Sequence, residues 1–413
     1  MMGEAKSNAR LHRGLAGLVL IHALLLPISI STGQVWAYLV AVVALAGWLR
    51  GGFAGDSQTP LLWAVLLFGL VAAASVFVGV RAELALHKVD RLLLMAVPLV
   101  LPLLVCAKPD LARRIVRAFL IGCTGKGLYD VLRIPIQHVR ASRAFERAMA
   151  SGADGAVDAP SLFDLGNMRD PQFYAVAICL AAALWIMRSP GFSRRALAFA
   201  LAINGAAILL HFKRGAWLAL ALSLLVMGLM SRRRRLVLAV LLAALAASQL
   251  PAVRARIALV HEEFELNTGG RYALWTHVAP SLYRDYPLGM GWRSVRHEDL
   301  VGHGVPVQKK LNHLHNNPMH IRLETGWPGL AAWLFLMGSG FALMGAAYRR
   351  ARRENLEWQG PALGVFTGFL ALHLNGLVEY NFGDGEIFML MNLLLGLGAA
   401  GWVMLRPKPP SAA

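Results

Sequence analysis

The chain has 413 residues, of which 57 % are hydrophobic and only 15 % charged, and its mean hydropathy is +0.53. A soluble domain carries about 25 % charged residues, because its surface must be solvated by water. This chain has too few charges to cover such a surface, which excludes a soluble globular fold as well as a disordered chain. The composition predicts an all-α polytopic membrane protein.

The formal net charge of +18 comes from 41 Lys and Arg against 23 Asp and Glu. A basic excess of this size can indicate a nucleic-acid partner, but these cations lie between apolar runs and form no patch with interleaved aromatic residues. They are typical of topology signals, and they also suit anionic phosphate ligands. The three cysteines fall in or beside apolar runs, which indicates neither disulfide nor thiol chemistry.

Twelve apolar runs approach the length of about 20 residues that a bilayer-spanning helix needs. They cover residues 14–31, 34–49, 60–80, 92–107, 115–132, 172–188, 196–212, 214–231, 235–251, 327–348, 360–378 and 386–405. Arg10 and Arg13 precede the first run as in a signal peptide. That run is long and lacks a small-residue cleavage site, so we expect a retained helix.

The distribution of Lys and Arg predicts that both chain ends lie in the cytoplasm, because every second loop is then basic, as at residues 232–235. Two long segments, 133–170 and 252–326, would lie on the outer side. We expect three regions: residues 1–251 with nine spans, the insert 252–326, and residues 327–413 with three spans and the tail. Because long structureless loops are uncommon, the insert is predicted to be a small helical cap.

The short outer loop after the seventh run reads His211, Phe212, Lys213, Arg214. Positive charge at an outer helix end runs against the usual orientation rule. One interpretation is that these side chains snorkel to the membrane interface. The other is an anion site, because Gly215 after Arg214 lets a bulky ligand approach.

Two segments of the insert carry further candidates. Arg271 is predicted to open a helix over 271–284, where its guanidinium can meet phosphate oxygens bidentately or be merely solvated. A second helix is predicted over 318–325, with Asn317 as its cap and Gly326 as its stop.

His315 lies just before the second of these helices. The positive end of the helix dipole favours a neutral imidazole, the form that a general base needs. His313, His315 and His320 are alternatively metal ligands, although their spacing matches no standard zinc pattern and no carboxylate cluster accompanies them.

Ionisable residues also fall within the predicted spans. Lys126 and Asp130 lie four residues apart, so they can pair on one helix face as a functional or a structural ion pair. At the outer end of the eleventh span, polar side chains are expected to face the same cavity as Arg214. These are His373, Asn375, Glu379 and Asn381.

These residues together resemble the bacterial O-antigen ligases, within the wider O-antigen ligase and polymerase superfamily. The family's Arg-x3-Leu pattern matches Arg214 to Leu218, and its His-x10-Gly pattern matches His315 to Gly326. Arg271 matches an arginine early in the family's insert, and the turn at 287–291 is similar to the superfamily's turn after the first insert helix. Pro318 and His320 depart from the pattern, which leaves open whether His313 or His315 is the important imidazole.

The resemblance implies a GT-C-like fold with about twelve transmembrane helices and a large periplasmic insert between helices nine and ten. It implies an inner-membrane glycosyltransferase with its active site on the periplasmic side. The donor would be O-antigen on undecaprenyl diphosphate and the acceptor the lipid A-core oligosaccharide, with no metal, nucleotide or other cofactor and no nucleic-acid partner.

On this reading, His315, Arg214 and Arg271 are catalytic. Substrate-binding roles are expected for Lys213, His313, Lys126, Arg143, Arg147 and Arg169. The nearest alternatives are an O-antigen polymerase and a protein O-oligosaccharyltransferase, which share the donor and differ in the acceptor. Protein transferases usually carry a longer C-terminal region than the residues that follow the twelfth run here, so we expect this alternative less. A lipid-linked sugar transporter is a further alternative, but we find no inverted repeats.

Overall fold

A computed structural model describes residues 2–50, 59–150, 170–258, 260, 269–307 and 311–406. Within these ranges all regular secondary structure is helical, as the composition predicts. The helices are α1 (Met2–Leu25), α2 (Ile30–Leu49), α3 (Pro60–Val78), α4 (Ala82–Leu86), a 3-10 helix (Val89–Ala96), α5 (Val97–Ala107), α6 (Asp110–Ala150), α7 (Asp170–Ile186), α8 (Arg194–Leu210), α9 (Arg214–Met230), α10 (Arg234–Ser248), α11 (Pro251–Ala258), α12 (Arg271–Ala273), a π-helical turn (Leu274–Val278), α13 (Ala279–Asp285), α14 (His297–Leu300), α15 (Asn317–Arg353), α16 (Gln359–Asn375) and α17 (Gly385–Leu405).

Each of the twelve predicted apolar runs overlaps one of these helices. Among the described residues, five helical segments are long and apolar enough to cross a membrane. They are Ile30–Leu49, Pro60–Val78, Ala82–Ala107, Asn317–Arg353 and Gly385–Leu405, and two shorter apolar helices are Pro171–Ile186 and Arg214–Met230. The chain therefore has the helices of a multi-pass membrane protein, while the twelve crossings and the GT-C-like arrangement stay predictions.

Helix α17 is an inner helix of the bundle, and α7 is buried to a similar extent. In the apolar 18-residue stretch of α17, 89 % of the residues are buried, against 33 % in the corresponding stretch of α2 and 39 % in that of α3. It packs against α5 and α15, while α16 packs against α7 and α9. The outer helices expose large apolar side chains such as Trp63, Phe77 and Leu245. In a bilayer these side chains can face lipid without cost, because the lipid tails are equally apolar.

The insert has an apolar core of its own. Its buried members are Leu274, Val278, Ala279, Leu282, Met290, Val295, Leu300, Leu311, Leu314 and Leu323. Both stretches predicted as helical are helical: α12, the π-helical turn and α13 follow one another without a break, and α15 begins at Asn317. The first turns of α15 contribute Leu323 to this core, so the insert and the helix after it form one packed unit.

The loop after α13 and the short helix α14 dock this unit onto α3 and the start of α4. Arg81 donates two hydrogen bonds to the Asp299 carboxylate, at 2.6 and 2.7 Å. The Trp292 backbone N–H donates to Ser75 Oγ at 3.1 Å, and the Trp292 side chain is completely buried. Because a bidentate arginine–carboxylate pair also fixes orientation, these contacts fix the insert against the membrane helices.

One detail at the start of α15 differs from the sequence prediction, and the predicted stop at Gly326 agrees with it. The cap is Asn316, one residue earlier than predicted, since its side chain accepts a hydrogen bond from the Met319 N–H at 2.9 Å. Gly326 stops the first helix within α15 as predicted: its φ of +66 and ψ of −169 are non-helical, and a second helix follows directly after this kink. Gly326 packs against the backbone of Leu288, so the kink is where the insert's loop meets α15.

We predict that Gly289→Ala destabilises the protein more than Gly302→Ala. Both glycines have φ near +90°, so both substitutions carry similar backbone strain. A Cβ at Gly289 would also lie 2.5 Å from the Gly326 nitrogen, whereas a Cβ at Gly302 meets open space. We expect an extra cost of about 1–3 kcal/mol at Gly289, measured by thermal unfolding in detergent. Equal costs would show that the contact between this loop and α15 is loose.

Candidate functional site

His315 lies in the short stretch that leads into α15. Its φ of +50 is in the left-handed region, which is uncommon for a residue other than glycine and persists only where surrounding contacts hold it. Asn316, beside it, caps α15 and also donates a side-chain hydrogen bond to the Leu377 carbonyl at 2.8 Å. The cap therefore ties the start of α15 to the loop between α16 and α17, residues 376–384, called here the 376–384 segment.

Glu379 of the 376–384 segment joins His315 to Arg271. His315 Nδ1 donates to Glu379 Oε1 at 2.8 Å, and Arg271 Nη2 lies 3.7 Å from Glu379 Oε2. Arg271 Nε donates to the Val378 carbonyl at 2.9 Å. Because a carboxylate only accepts hydrogen bonds, the proton of a neutral His315 sits on Nδ1 and its Nε2 is left as the basic atom.

The electrostatics of Glu379 favour its charged form. Burial alone would raise the pKa of this carboxyl, but the hydrogen bond and charge of His315, with smaller contributions from His313 and Arg271, lower its pKa to about 2. Glu379 therefore carries a negative charge throughout the neutral range and keeps the proton of His315 on Nδ1.

His313 packs beside His315 with ring centroids 4.3 Å apart, and its Nδ1 accepts the His315 backbone N–H at 3.3 Å. Burial, with the nearby charge of His315, lowers the pKa of His313 to about 3, so its ring is neutral. His320 pairs with a different carboxylate: its Nε2 is 3.2 Å from one oxygen of Glu324, and the Tyr380 hydroxyl donates to the other at 3.1 Å. The Tyr380 ring packs on both His313 and His320, and the Leu314 backbone N–H donates to His320 Nδ1 at 3.4 Å. The three histidines are therefore neighbours that use two different carboxylates.

A chain of amide side chains holds the 376–384 segment against α15. Asn317 Nδ2 donates to Asn381 Oδ1 at 2.6 Å, and Asn381 Nδ2 donates to Gln172 Oε1 at 2.8 Å. The backbone N–H of Asn317 donates to the Gly376 carbonyl at 2.7 Å. All three amide side chains are buried, and buried polar groups that are fully paired specify one arrangement.

Arg214 is the first residue of α9, with Lys213 in the cap position before it. The next residue, Gly215, packs so closely on Asn375 that a Cβ there would lie 2.6 Å from Asn375 Oδ1. Asn375 ends α16, and the 376–384 segment starts directly after it. The backbone of Arg214 therefore lies next to the segment that carries Glu379.

Asp130 organises a buried polar cluster behind Arg214. Lys126 Nζ lies 2.6 Å from Asp130 Oδ2, which confirms the predicted pair on one face of α6. The Tyr174 hydroxyl donates to the same oxygen at 2.5 Å, and His211 Nε2 lies 3.2 Å from it. Through His211 the cluster is tied to the turn between α8 and α9, which ends at Arg214.

Other expected site residues lie outside this arrangement. Arg143 and Arg147 are exposed on α6, and in the described part of the chain no hydrogen bond or ion pair links them to His315 or Glu379. Arg169 falls outside the described residues. The expectation that His373 faces the same cavity as Arg214 is wrong, because its ring packs against Phe369 and Trp333 instead.

The ligand atoms of His313, His315 and Glu379 all lie within 4.8 Å of one another, so they could hold a metal ion. The 2.8 Å between His315 Nδ1 and Glu379 Oε1 fits a shared proton better. Two ligands at about 2.0 Å from a tetrahedral zinc ion would stand roughly 3.3 Å apart. The Arg271 cation beside the carboxylate also repels a dication.

Glu379 is the functional candidate whose role the sequence did not indicate. It was grouped with the other polar residues at the end of the eleventh span, and it is 64 residues from His315. No local spacing connects the two, so only the fold reveals the pair.

We predict that Glu379→Gln lowers the midpoint of thermal unfolding, and that the deficit depends on pH. The folded pKa of about 2 lies below the ordinary 4.5, so the carboxylate stabilises the fold fully above pH 4.5 and progressively less as pH falls from 4.5 towards 2. The difference between the two proteins should therefore shrink below pH 4.5. The exposed Glu146→Gln serves as the control, and a deficit that does not change with pH would contradict the pairing.

The comparisons with known proteins agree with these motifs. Residues 196–334 match a family model described as O-antigen ligase, a range that includes Arg214, Arg271 and His315. A search of curated proteins finds no match to the chain. The family match supports the resemblance drawn from the motifs, and over residues 196–334 the chain is similar to the O-antigen ligases.

Proposed function

We propose that the protein is an O-antigen ligase of the bacterial inner membrane. It transfers O-antigen polysaccharide from undecaprenyl diphosphate to the lipid A-core oligosaccharide, on the periplasmic side. The observation that best supports this proposal is the His315–Glu379 hydrogen bond of 2.8 Å beside Arg271. It joins a base with a defined tautomer to a cation suited to a diphosphate. Both His315 and Arg271 lie within the residues that the family model matches, and Glu379 lies outside them.

In the proposed reaction, His315 Nε2 takes the proton from an acceptor hydroxyl as its oxygen attacks the anomeric carbon of the donor. The bond between that carbon and the diphosphate oxygen breaks, and the lipid diphosphate leaves with the electron pair. A single direct displacement inverts the anomeric configuration. Glu379 stabilises the imidazolium that forms, as a carboxylate does behind the histidine of other acid–base pairs.

The proposed roles of the cations follow from charge. Arg214 and Arg271 hold the diphosphate and stabilise the negative charge that develops on the leaving group, an effect that is usually large in such transfers. Lys213 lies next to Arg214 and is assigned to the same phosphates. Further contacts to the phosphates of donor or acceptor are assigned to Lys126, Arg143, Arg147 and Arg169.

The proposal is tested by reconstituting the purified protein with lipid-linked O-antigen and three separate acceptors: lipid A-core, a second glycan and a peptide. We expect transfer to lipid A-core only, and undiminished turnover in excess EDTA. Transfer to the second glycan would identify a polymerase, and transfer to the peptide a protein O-oligosaccharyltransferase. Glycan movement across the bilayer without transfer would identify a transporter. Loss of turnover in EDTA that a divalent cation restores would overturn the metal-independent mechanism.

We predict that His315→Ala lowers kcat by about 10² to 10⁴, the usual cost of losing a general base. His313→Ala should be milder, because His313 has a pKa near 3 and its Nδ1 already accepts a backbone hydrogen bond. Donor binding should change little in either variant, since the arginines remain. Rates and donor KM are compared in the reconstituted system. A deeper loss at His313 would exchange the two roles, and two active variants would remove both histidines from the chemistry.

A further inference from the structure

Arg322 lies between two aromatic rings on the first turns of α15. Its guanidinium carbon is 3.8 Å from the centre of the Tyr283 ring and 3.9 Å from the centre of the Trp327 ring. Contacts this close restrict the guanidinium to one plane and leave its N–H donors directed towards the edge of the stack. Arg322 is therefore pre-oriented for a planar, bidentate ligand.

The aromatic partners of Arg322 are themselves held. The Tyr283 hydroxyl donates to the Met319 carbonyl at 2.8 Å, which ties α13 to α15 and sets the position of the phenol ring. Trp327 follows the kinked Gly326, and its side chain is 57 % exposed. An aromatic surface therefore remains accessible beside the cation.

The stack borders an open cavity of about 590 Å³, lined by Pro280, Tyr283, Arg284 and Arg322. Arg284 is exposed at its rim. Among the described residues, no carboxylate lies within ion-pair distance of either arginine, so two positive charges share the cavity without a protein counter-ion. An uncompensated pair of guanidinium groups in a concave site favours an anionic ligand.

We propose that this cavity is a subsite for an anionic group, phosphate or carboxylate, carried on a saccharide. The paired arginines supply charge and bidentate hydrogen bonds, and the exposed indole of Trp327 offers a flat apolar surface on which a sugar ring can pack. The site differs from the diphosphate site assigned to Arg214 and Arg271, because its two arginines lie on α13 and within α15. Arg322 is about 8 Å along the helix axis from Asn317.

If the proposed ligase function holds, the subsite binds the acceptor. A glycan held there by its charged group would lie beside the first turns of α15, and His315 lies just before this helix. An uncharged hydroxyl further along the glycan can therefore reach the base. The subsite then selects acceptors by a charge that takes no part in the reaction. This is how binding energy remote from the reacting atoms positions a substrate.

The experiment measures equilibrium binding of a fluorescently labelled core oligosaccharide, released from lipid A, to the full-length protein in nanodiscs of neutral phosphatidylcholine. Two probes are compared: the phosphorylated oligosaccharide and the same oligosaccharide without phosphate. The variants are Arg284→Gln, Arg322→Gln and Arg322→Lys. The control is Arg349→Gln, an exposed arginine near the other end of α15. Binding needs no turnover, so this test can fail independently of the ligase function.

We expect the phosphorylated probe to bind Arg322→Gln and Arg284→Gln about tenfold to a hundredfold more weakly, the usual effect of losing a hydrogen bond to a charged group. Arg322→Lys should recover part of the loss, and the control and the unphosphorylated probe should show no difference. Absence of an arginine-dependent difference, including failure of the unaltered protein to bind either probe, would overturn the proposal. A second set of nanodiscs that also contains anionic phosphatidylglycerol tests for a lipid site. Arginine-dependent enrichment of this lipid around the protein, without arginine-dependent binding of the glycan, would overturn the proposal and identify a lipid headgroup site.

Discussion

The hydrogen bond between His315 and Glu379 is the constraint around which the site is built. It connects the start of α15 to the 376–384 segment, and it keeps an imidazole on a left-handed backbone that would otherwise relax. The same carboxylate lies 3.7 Å from Arg271 at the start of the first insert helix. The Glu379 carboxylate thus contacts an imidazole and a guanidinium that come from elements far apart in the chain.

The rest of the molecule holds these elements in register. The insert is fixed to the membrane helices by the Arg81–Asp299 pair and the buried Trp292, and the amides of Asn317 and Asn381 fix the 376–384 segment. Asp130 ties the turn before Arg214 into the bundle through His211. Rigid surroundings of this kind suit the proposed reaction, in which a base and two cations act on one bond, because small misplacements weaken such catalysis strongly.

Local patterns in the sequence predicted the features that depend on residues close together in the chain. The apolar runs, the helix opened by Arg271 and the Lys126–Asp130 pair follow from periodicity and spacing, and the structure contains all of them. Properties that depend on tertiary contact were missed. The pairing of His315 with Glu379 and the packing of His373 on Trp333 arise from segments that meet only in the fold. Gly326 stops a helix as the sequence predicted, but its close packing on the backbone of Leu288 was not predicted.

The central claim is that His315 and Glu379 act as one unit in proton removal. A double-mutant cycle on kcat/KM tests it most directly, with His315→Ala, Glu379→Gln and the two combined in the reconstituted transfer assay. If the carboxylate acts only through the imidazole, the double variant will be no slower than His315→Ala alone. Losses that multiply in the double variant would contradict the account, because each group would then contribute to the reaction independently.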